Sequence, residues 1–339
     1  MILHLTRKEK FTKHFIKFIE SNFNKNEHFF LLVGGQKHKE FFVQEKENIK
    51  IVNTKLEFVK FFKIFHKLMY KSDKIIIHGL SQPYCYYYLF LNPCLLKKSY
   101  WVMWGADFYF PEKQPWIKKQ VIKRMGNFIT YIRGDYELVK KWYKAKGNYY
   151  KCFMYPSNLY KKLPLKKEKN NKSTINVQVG NSAAPENNHF EILERLSKYK
   201  DENIKIYAPL SYGDMAYAEK VIKEGKKIFE EKFIPLTNFM QFDKYLEFLS
   251  NIDIAIFAHN RQQAMGNIIT LLGLGKKVYM RSDITPWLMF NELGIKIFDV
   301  ENIELSSLDE RTKKENIEKI KTYFSEENLK KQLEEIFKL

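Results

Sequence analysis

The residues best suited to chemistry sit in two polar loops of the second half of the chain. Gly180-Asn181-Ser182 opens the first, which runs through Ala183-Ala184-Pro185-Glu186 to Asn187-Asn188-His189. It follows the apolar run 175–179 and leads into amphipathic residues, so it reads as a strand, a glycine turn and a helix start. Backbone N–H groups at a helix start, with the helix dipole behind them, make an anion site that needs no cation. Capping by Asn187 or Asn188 is the ordinary alternative, and it accounts only for the last residues of the loop. The second loop runs His259-Asn260-Arg261-Gln262-Gln263-Ala264-Met265-Gly266-Asn267 after the apolar run 254–257. Amides and an arginine directly behind a core strand are costly without partners, which makes a ligand their natural partner. Arg261 can grip a diphosphate through two parallel hydrogen bonds; a helix cap with one solvated arginine is the alternative. Between the loops, Pro209, Ser211 and Tyr212 follow the run 204–207, where an aromatic ring among small neighbours suits a nucleobase or sugar, and a plain turn explains it nearly as well.

The first half offers carboxylates. The run 100–103 leads into Trp104-Gly105-Ala106-Asp107, and the run 128–132 into Arg133-Gly134-Asp135. Each sets one acid at a strand's carboxyl end, where a general base or acceptor-binding group would stand. Helix capping competes for Asp135, because a helix pattern follows at once. His78-Gly79 closes the run 74–78 and reads either as a site residue or as a satisfied core histidine.

Several chemistries have no residues to support them. There is no G-x-x-x-x-G-K-[ST] loop, and Gly273-Leu274-Gly275 follows a helix without a third glycine, so it reads as a helix end. No D-x-D pair, H-E-x-x-H or Cys/His cluster occurs, so no metal is expected. Cys85, Cys94 and Cys152 form no C-x-x-C pair and leave an odd thiol, which fits a reducing compartment.

The elements that must position these residues are legible from periodicity. Short apolar runs alternate with amphipathic stretches, the pattern of parallel α/β units. Strands are predicted over 2–5, 29–33, 49–52, 74–78, 100–103 and 128–132, then over 175–179, 204–207, 254–257 and 277–280. Helices are predicted over 56–70, 187–199, 214–227, 241–250 and 263–273. Residues 161–173 are polar and Lys-rich and read as a linker. The expected division is an N-terminal domain over 1–160, the linker, a C-terminal domain over 174–307, and helices over 308–339 that close the molecule. A ligand is expected in the cleft that two such domains create.

Of 339 residues, 58 are Lys or Arg and 39 Asp or Glu, a net charge of +19. Residues 1–172 hold 35 basic and 13 acidic side chains, so the excess lies wholly in the first half. Such segregation points to a polyanion: nucleic acid, an anionic membrane or a phosphorylated substrate. The first residues become charged too early for a signal peptide, and the apolar stretch 75–96 is broken by prolines, glycine and histidine, so no bilayer-spanning segment is expected.

Taken in order, His78-Gly79, Trp104-Gly105-Ala106-Asp107, Arg133-Gly134-Asp135, Tyr155-Pro156, Val179-Gly180-Asn181-Ser182, Asn188-His189, Phe242-Asp243, Tyr245-Leu246 and Arg261-Gln262-Gln263 with Gly266 resemble glycosyltransferase family 56. These are the TDP-Fuc4NAc:lipid II transferases of enterobacterial common antigen assembly. The resemblance implies a GT-B fold of two Rossmann-like domains and a metal-independent hexosyltransferase with no cofactor. It implies a dTDP-sugar donor bound by the second half and a lipid-linked saccharide acceptor bound by the first, at the cytoplasmic face of the bacterial inner membrane. It gives Asn181, Ser182, Arg261, Gln262 and Gln263 to the donor's diphosphate and sugar, and Gly180, His189, Pro209, Ser211, Tyr212, Gly266 and Asn267 are expected to complete the donor site. The resemblance places Asp107 in the catalytic cleft, as the base that deprotonates the acceptor if transfer inverts the anomeric centre and as an acceptor-positioning group if it retains it; His78, Trp104, Arg133 and Asp135 are the expected acceptor-binding residues. Ala264-Met265 and Ala184-Pro185-Glu186 depart from the family pattern beside the two loops, which leaves the donor sugar open. A UDP-sugar donor and, more remotely, a nucleic-acid-binding protein are the competing readings. Under the resemblance, the basic half faces an anionic membrane rather than nucleic acid.

Overall fold

A computed structural model describes residues 1–9, 11–34, 43–52, 58–162 and 174–338. Most of the predicted linker therefore lies outside the described residues. The chain divides into two compact units, Met1–Ser157 with Glu326–Leu339 and Asn158–Ser325.

The first unit holds β1 (Ile2–Arg7), α1 (Thr12–Asn22), β2 (His28–Val33), β3 (Ile49–Val52), α2 (Phe58–Lys71), β4 (Lys74–His78), α3 (Pro83–Leu91), β5 (Ser99–Val102), α4 (Gly105–Phe108), α5 (Trp116–Arg124), β6 (Asn127–Ile129), α6 (Arg133–Tyr143) and β7 (Asn148–Tyr150). The strands form a parallel sheet in the order β3-β2-β1-β4-β5-β6-β7. A parallel sheet needs cover on both faces, which is why its strands read as unbroken apolar runs. One face packs Phe61, Phe65, Leu89, Val121 and Val139 from α2, α3, α5 and α6. The other face presents His4 and Phe30 to Phe15 of α1.

The second unit holds β8 (Ile175–Val179), α7 (His189–Leu196), β9 (Ile204–Pro209), α8 (Met215–Phe229), β10 (Phe233–Leu236), α9 (Phe242–Asn251), β11 (Ile254–Phe257), α10 (Met265–Gly273), β12 (Lys277–Met280), α11 (Thr285–Glu292), β13 (Phe298–Asp299) and α12 (Glu310–Tyr323). Its parallel sheet has the order β10-β9-β8-β11-β12-β13. The central pair β8 and β11 therefore carries the two polar loops side by side at their carboxyl ends.

Two expectations need correction. Sequence reading keeps residues 308–339 together, but α12 belongs to the second unit and α13 (Glu326–Phe337) to the first. There Gln332 Oε1 accepts from Phe153 N at 3.1 Å, and Phe337 packs on His28 with ring centroids 4.6 Å apart. The predicted strand over 128–132 stops at Ile129, because Thr130 Oγ1 accepts from Ile132 N and turns the chain into α6. Edge strands β7 and β13 are too short to be read from periodicity, and Pro235 interrupts the apolar run of β10.

Candidate functional site

In the second unit, β8 ends in Gly180 with a φ of 67°. A Cβ there would lie 2.6 Å from His189 Nε2 and 2.8 Å from Asn187 Oδ1, so only glycine lets the loop close over those side chains. Asn187 is the hub beneath it. Its Oδ1 accepts from Asn181 N at 2.8 Å and from His259 Nε2 at 2.9 Å, and its Nδ2 donates to Ala184 O at 3.0 Å and Ser182 Oγ at 3.2 Å. His259 Nε2 also meets Asn181 Oδ1 at 3.1 Å. Both partners are carbonyl oxygens, so Nε2 carries the proton. Burial holds this imidazole neutral, with its pKa pushed down to about 3. Asn188, with a φ of 52°, reaches across to Ala258 O at 2.6 Å and Asn260 Oδ1 at 3.2 Å and ties the two loops together.

This framework leaves donors and acceptors over. Helices α7 and α10 begin at Asn188 and Ala264, both left-handed, with no side-chain cap. By contrast, α8 is closed by Asp214, which accepts from Ala216 N and Tyr217 N. The uncapped N–H groups of α10 and the dipole behind them thus remain for an anion. Among the described residues, Arg261, half-buried beside them, donates to Gln262 O alone, at 3.0 Å. Gln262 Oε1 and Gln263 Oε1 are buried acceptors without a hydrogen-bond partner among the described residues, and His189 Nε2 is a buried ring nitrogen without one. Unpaired buried acceptors call for donors such as sugar hydroxyls or an amide N–H. Tyr212, on the exposed turn after β9, holds Asn181 Nδ2 at 2.9 Å, with Pro209 and Leu210 buried behind it and Ser211 half-buried. The Tyr245 hydroxyl of α9 lies near Gln178 and Asn267, which places Asn267 beside the same loops. Gly266 lies in the first turn of α10, its carbonyl taken by Thr270 Oγ1.

The residues singled out in the first unit are engaged with groups of that unit. Asp107 is 1% exposed, and its Oδ2 accepts from Leu80 N at 2.8 Å and Trp101 Nε1 at 3.3 Å. Burial raises its pKa, and Lys118 with these hydrogen bonds opposes the rise. The carboxylate expected to face out of the strand end instead pins the turn Gly79-Leu80, where a Cβ on Gly79 would lie 2.7 Å from the Trp104 ring. Replacing Asp107 with Ala strands two buried donors and is expected to destabilise the first unit by about 2–4 kcal/mol. Asp107→Asn keeps an acceptor and should lose less than half of that in a denaturant melt. Equal losses in both variants would show that the charge matters rather than the acceptor.

Asp135 is likewise buried, accepting from Tyr109 Oη at 2.8 Å, and does not cap α6. Arg133 is engaged with Glu137 at 2.8 Å and stacks on Tyr149, so its guanidinium is not held out for an acceptor. His78 is a core histidine in a buried series. His28 Nδ1 meets His4 Nε2 at 3.0 Å, His4 Nδ1 meets His78 Nε2 at 3.1 Å, and His78 Nδ1 meets Tyr155 Oη at 2.8 Å. Trp104, half-buried, donates its indole N–H to the same hydroxyl at 3.3 Å. All three imidazoles have lowered pKa values, about 4 for His28 and about 3 for His78, with desolvation as the main cause. Neutral rings in series must share their protons in one direction, so the tautomers are coupled.

Residues 11–338 match the family described as 4-alpha-L-fucosyltransferase, glycosyl transferase group 56. The chain belongs to glycosyltransferase family 56. Solved structures agree in fold: a glycosyltransferase from Rickettsia africae is 14% identical with a TM-score of 0.70, covering 99% of this chain and 97% of that one. HepE from Anabaena, solved with UDP and glucose, is 12% identical with a TM-score of 0.68 over 99% and 98% of the two chains. WaaG, a glycosyltransferase involved in lipopolysaccharide biosynthesis, is 9% identical with a TM-score of 0.62 over 99% and 98%. This family 56 member is thus a glycosyltransferase whose two parallel-sheet units are those of the GT-B fold, as its motifs implied.

Sequence reading of the family 56 chain missed the roles of Asn187, His259, Tyr217 and Tyr245. Asn187 was legible only as a possible cap. What distinguishes it is complete burial, and nothing in its neighbours' types announces that. Tyr217, whose hydroxyl lies 3.3 Å from both the backbone N and Nδ1 of His189, sits in a helix that reads as ordinary amphipathic sequence.

Proposed function

We propose that the chain transfers a deoxy-acetamido sugar of the Fuc4NAc type from a dTDP-linked donor to a polyprenyl-diphosphate-linked saccharide, without a metal, at the cytoplasmic face of a bacterial inner membrane. The observation that carries the donor half of this reading is the division of labour around β8 and β11. Arg261 and the uncapped start of α10 supply positive potential for a diphosphate, while Gln262 and Gln263 offer unpaired acceptors for a sugar. Glycosyl transfer passes through an oxocarbenium-like transition state as negative charge grows on the leaving diphosphate. Preorganised donors at that position stabilise the transition state more than the ground state. In this reading Asp107 is a positioning residue that shapes the Gly79-Leu80 turn and Trp104, rather than the base. Family 56 membership favours the dTDP-sugar. The UDP complexes of the structurally similar HepE favour a UDP-sugar as the second reading.

Thermal-shift titration with dTDP, UDP, GDP and CMP, with and without EDTA, tests it. A ligand at a hundredfold excess over its Kd stabilises by about 2.7 kcal/mol, and dTDP is expected to give the largest shift, unchanged by EDTA. Arg261→Ala is expected to weaken that ligand about 10–100-fold, the worth of a charge-assisted pair. If no nucleotide shifts the melt, the donor reading fails.

A further inference from the structure

We propose that the outer surface of α2, α3 and α5 is the face on which this chain lies against an anionic lipid bilayer. The inference deepens the reading of a lipid-linked acceptor and rests on it for biological purpose, though not for its own test. The three helices are neighbours. Tyr84 and Tyr88 of α3 pack edge-on against Phe65 of α2, and Phe90 of α3 packs against Trp116 of α5 with ring centroids 5.6 Å apart. Together they cover one face of the sheet, and their outer surfaces are continuous.

That surface has two properties that seldom occur together. None of the three helices contains an acidic residue, while Lys63, Lys67, Lys71, Lys123 and Arg124 are exposed on them. The nearest acids in sequence are Glu57, directly ahead of α2, Asp73, which is engaged by the Met1 amine, and Glu112 ahead of α5. The same surface exposes large apolar side chains: Leu91 at 76%, Trp116 at 62% and Tyr87 at 47%. Helix α3 carries no charged residue at all, PYCYYYLFL, although only Cys85, Tyr86 and Leu89 of it are buried. A helix apolar all round belongs in a core or in lipid, and this one is on the surface.

Charge decides the occupant. A second copy of the chain would set two acid-free, lysine-bearing faces together, which like-charge repulsion opposes. A nucleic-acid backbone would meet the lysines but would gain nothing from Leu91 and little from the aliphatic rim. Anionic headgroups above an acyl boundary match both properties, with lysines at the phosphates and Trp116, Tyr87 and Leu91 at the interface. No helix among the described residues is long and apolar enough to cross a membrane, so the contact is one of lying on the surface.

Flotation with vesicles tests this on the full chain. Vesicles of phosphatidylcholine with about 30 mol% phosphatidylglycerol are expected to carry the protein, and pure phosphatidylcholine far less, with binding weakened as salt screens the headgroups. Leu91→Ser with Trp116→Ser, and separately Lys63→Glu with Lys67→Glu, are each expected to reduce partitioning at least about 10-fold with the melting temperature and the nucleotide-induced shift unchanged. Binding that is the same in these variants, or equal on neutral vesicles, overturns the proposal, as does displacement from anionic vesicles by duplex RNA. Loss of vesicle binding with the nucleotide shift retained places the defect in docking. A wild-type chain that binds vesicles but no nucleotide would sink the donor reading and leave this face standing.

Discussion

Replacing Asn187 with Ala is expected to abolish nucleotide-induced stabilisation and to lower the melting temperature of the second unit on the order of 10 °C. The side chain makes four hydrogen bonds in full burial, and removing it leaves Asn181 N–H and His259 Nε2–H without their shared acceptor. Each stranded buried group costs about 1–3 kcal/mol, so a loss of about 3–5 kcal/mol is the expected sum after partial relaxation. The functional effect follows from the geometry rather than from the stability. Asn181 would no longer be held beneath the turn, and the loop from Gly180 to Ser182 would lose the shape that sets it beside Arg261 and the start of α10. Differential scanning calorimetry with and without dTDP separates the two effects. A destabilised variant that still gains the full nucleotide shift would show that this loop does not hold the donor.

Acid is expected to unfold the first unit before the second, beginning below about pH 6. His4, His28 and His78 are buried neutral in the first unit, and His189 and His259 in the second, with folded pKa values of about 3 to 4 where a value is resolved. In the unfolded chain each titrates near about 6.5. The unfolded state therefore binds protons first as pH falls. The stability from keeping these rings neutral is fully present above about pH 6.5 and is lost down to the folded values. Each histidine contributes a slope of about 1.4 kcal/mol per pH unit in that window, so three give about 4 and two about 3. Against a typical stability of about 5–15 kcal/mol, the first unit should be lost near pH 5. Circular-dichroism melts from pH 7.5 to 4.5, with hydrogen exchange to locate the opening, measure this directly. A melting temperature that stays flat down to pH 5 would mean that the histidines are hydrated or already charged in the folded state.

The central strands were legible because a strand covered on both faces has no polar positions to confuse the period. The runs at 74–78 and 254–257 coincide with β4 and β11 residue for residue. At the edges, β3 coincides with the predicted run 49–52, whereas β13, two residues long, and β7, three residues long, are too short to carry a period. The two polar loops could be read because glycine, amides and arginine behind an apolar run are types that seldom tolerate burial without partners. Asp107 could not be placed, because a carboxylate after a strand has the same sequence signature whether it faces solvent or turns inward to hold Leu80 N–H. Only the fold distinguishes them. The histidine series was equally hidden, since His4, His28 and His78 come together solely through the strand order β2-β1-β4.

The return of α13 to the first unit has a consequence for how the protein is made. The sheet face bearing His4, His28 and Phe30 takes a covering side chain from Phe337, which is synthesised after the whole second unit. At about 5–20 residues per second, the chain from Ser157 to Phe337 takes roughly 10–40 s to synthesise. For that interval the nascent first unit stands with buried-type histidines and aromatic rings uncovered while the whole second unit is still being threaded out. Order of synthesis and order of completion are thus reversed: the domain that begins first is finished last.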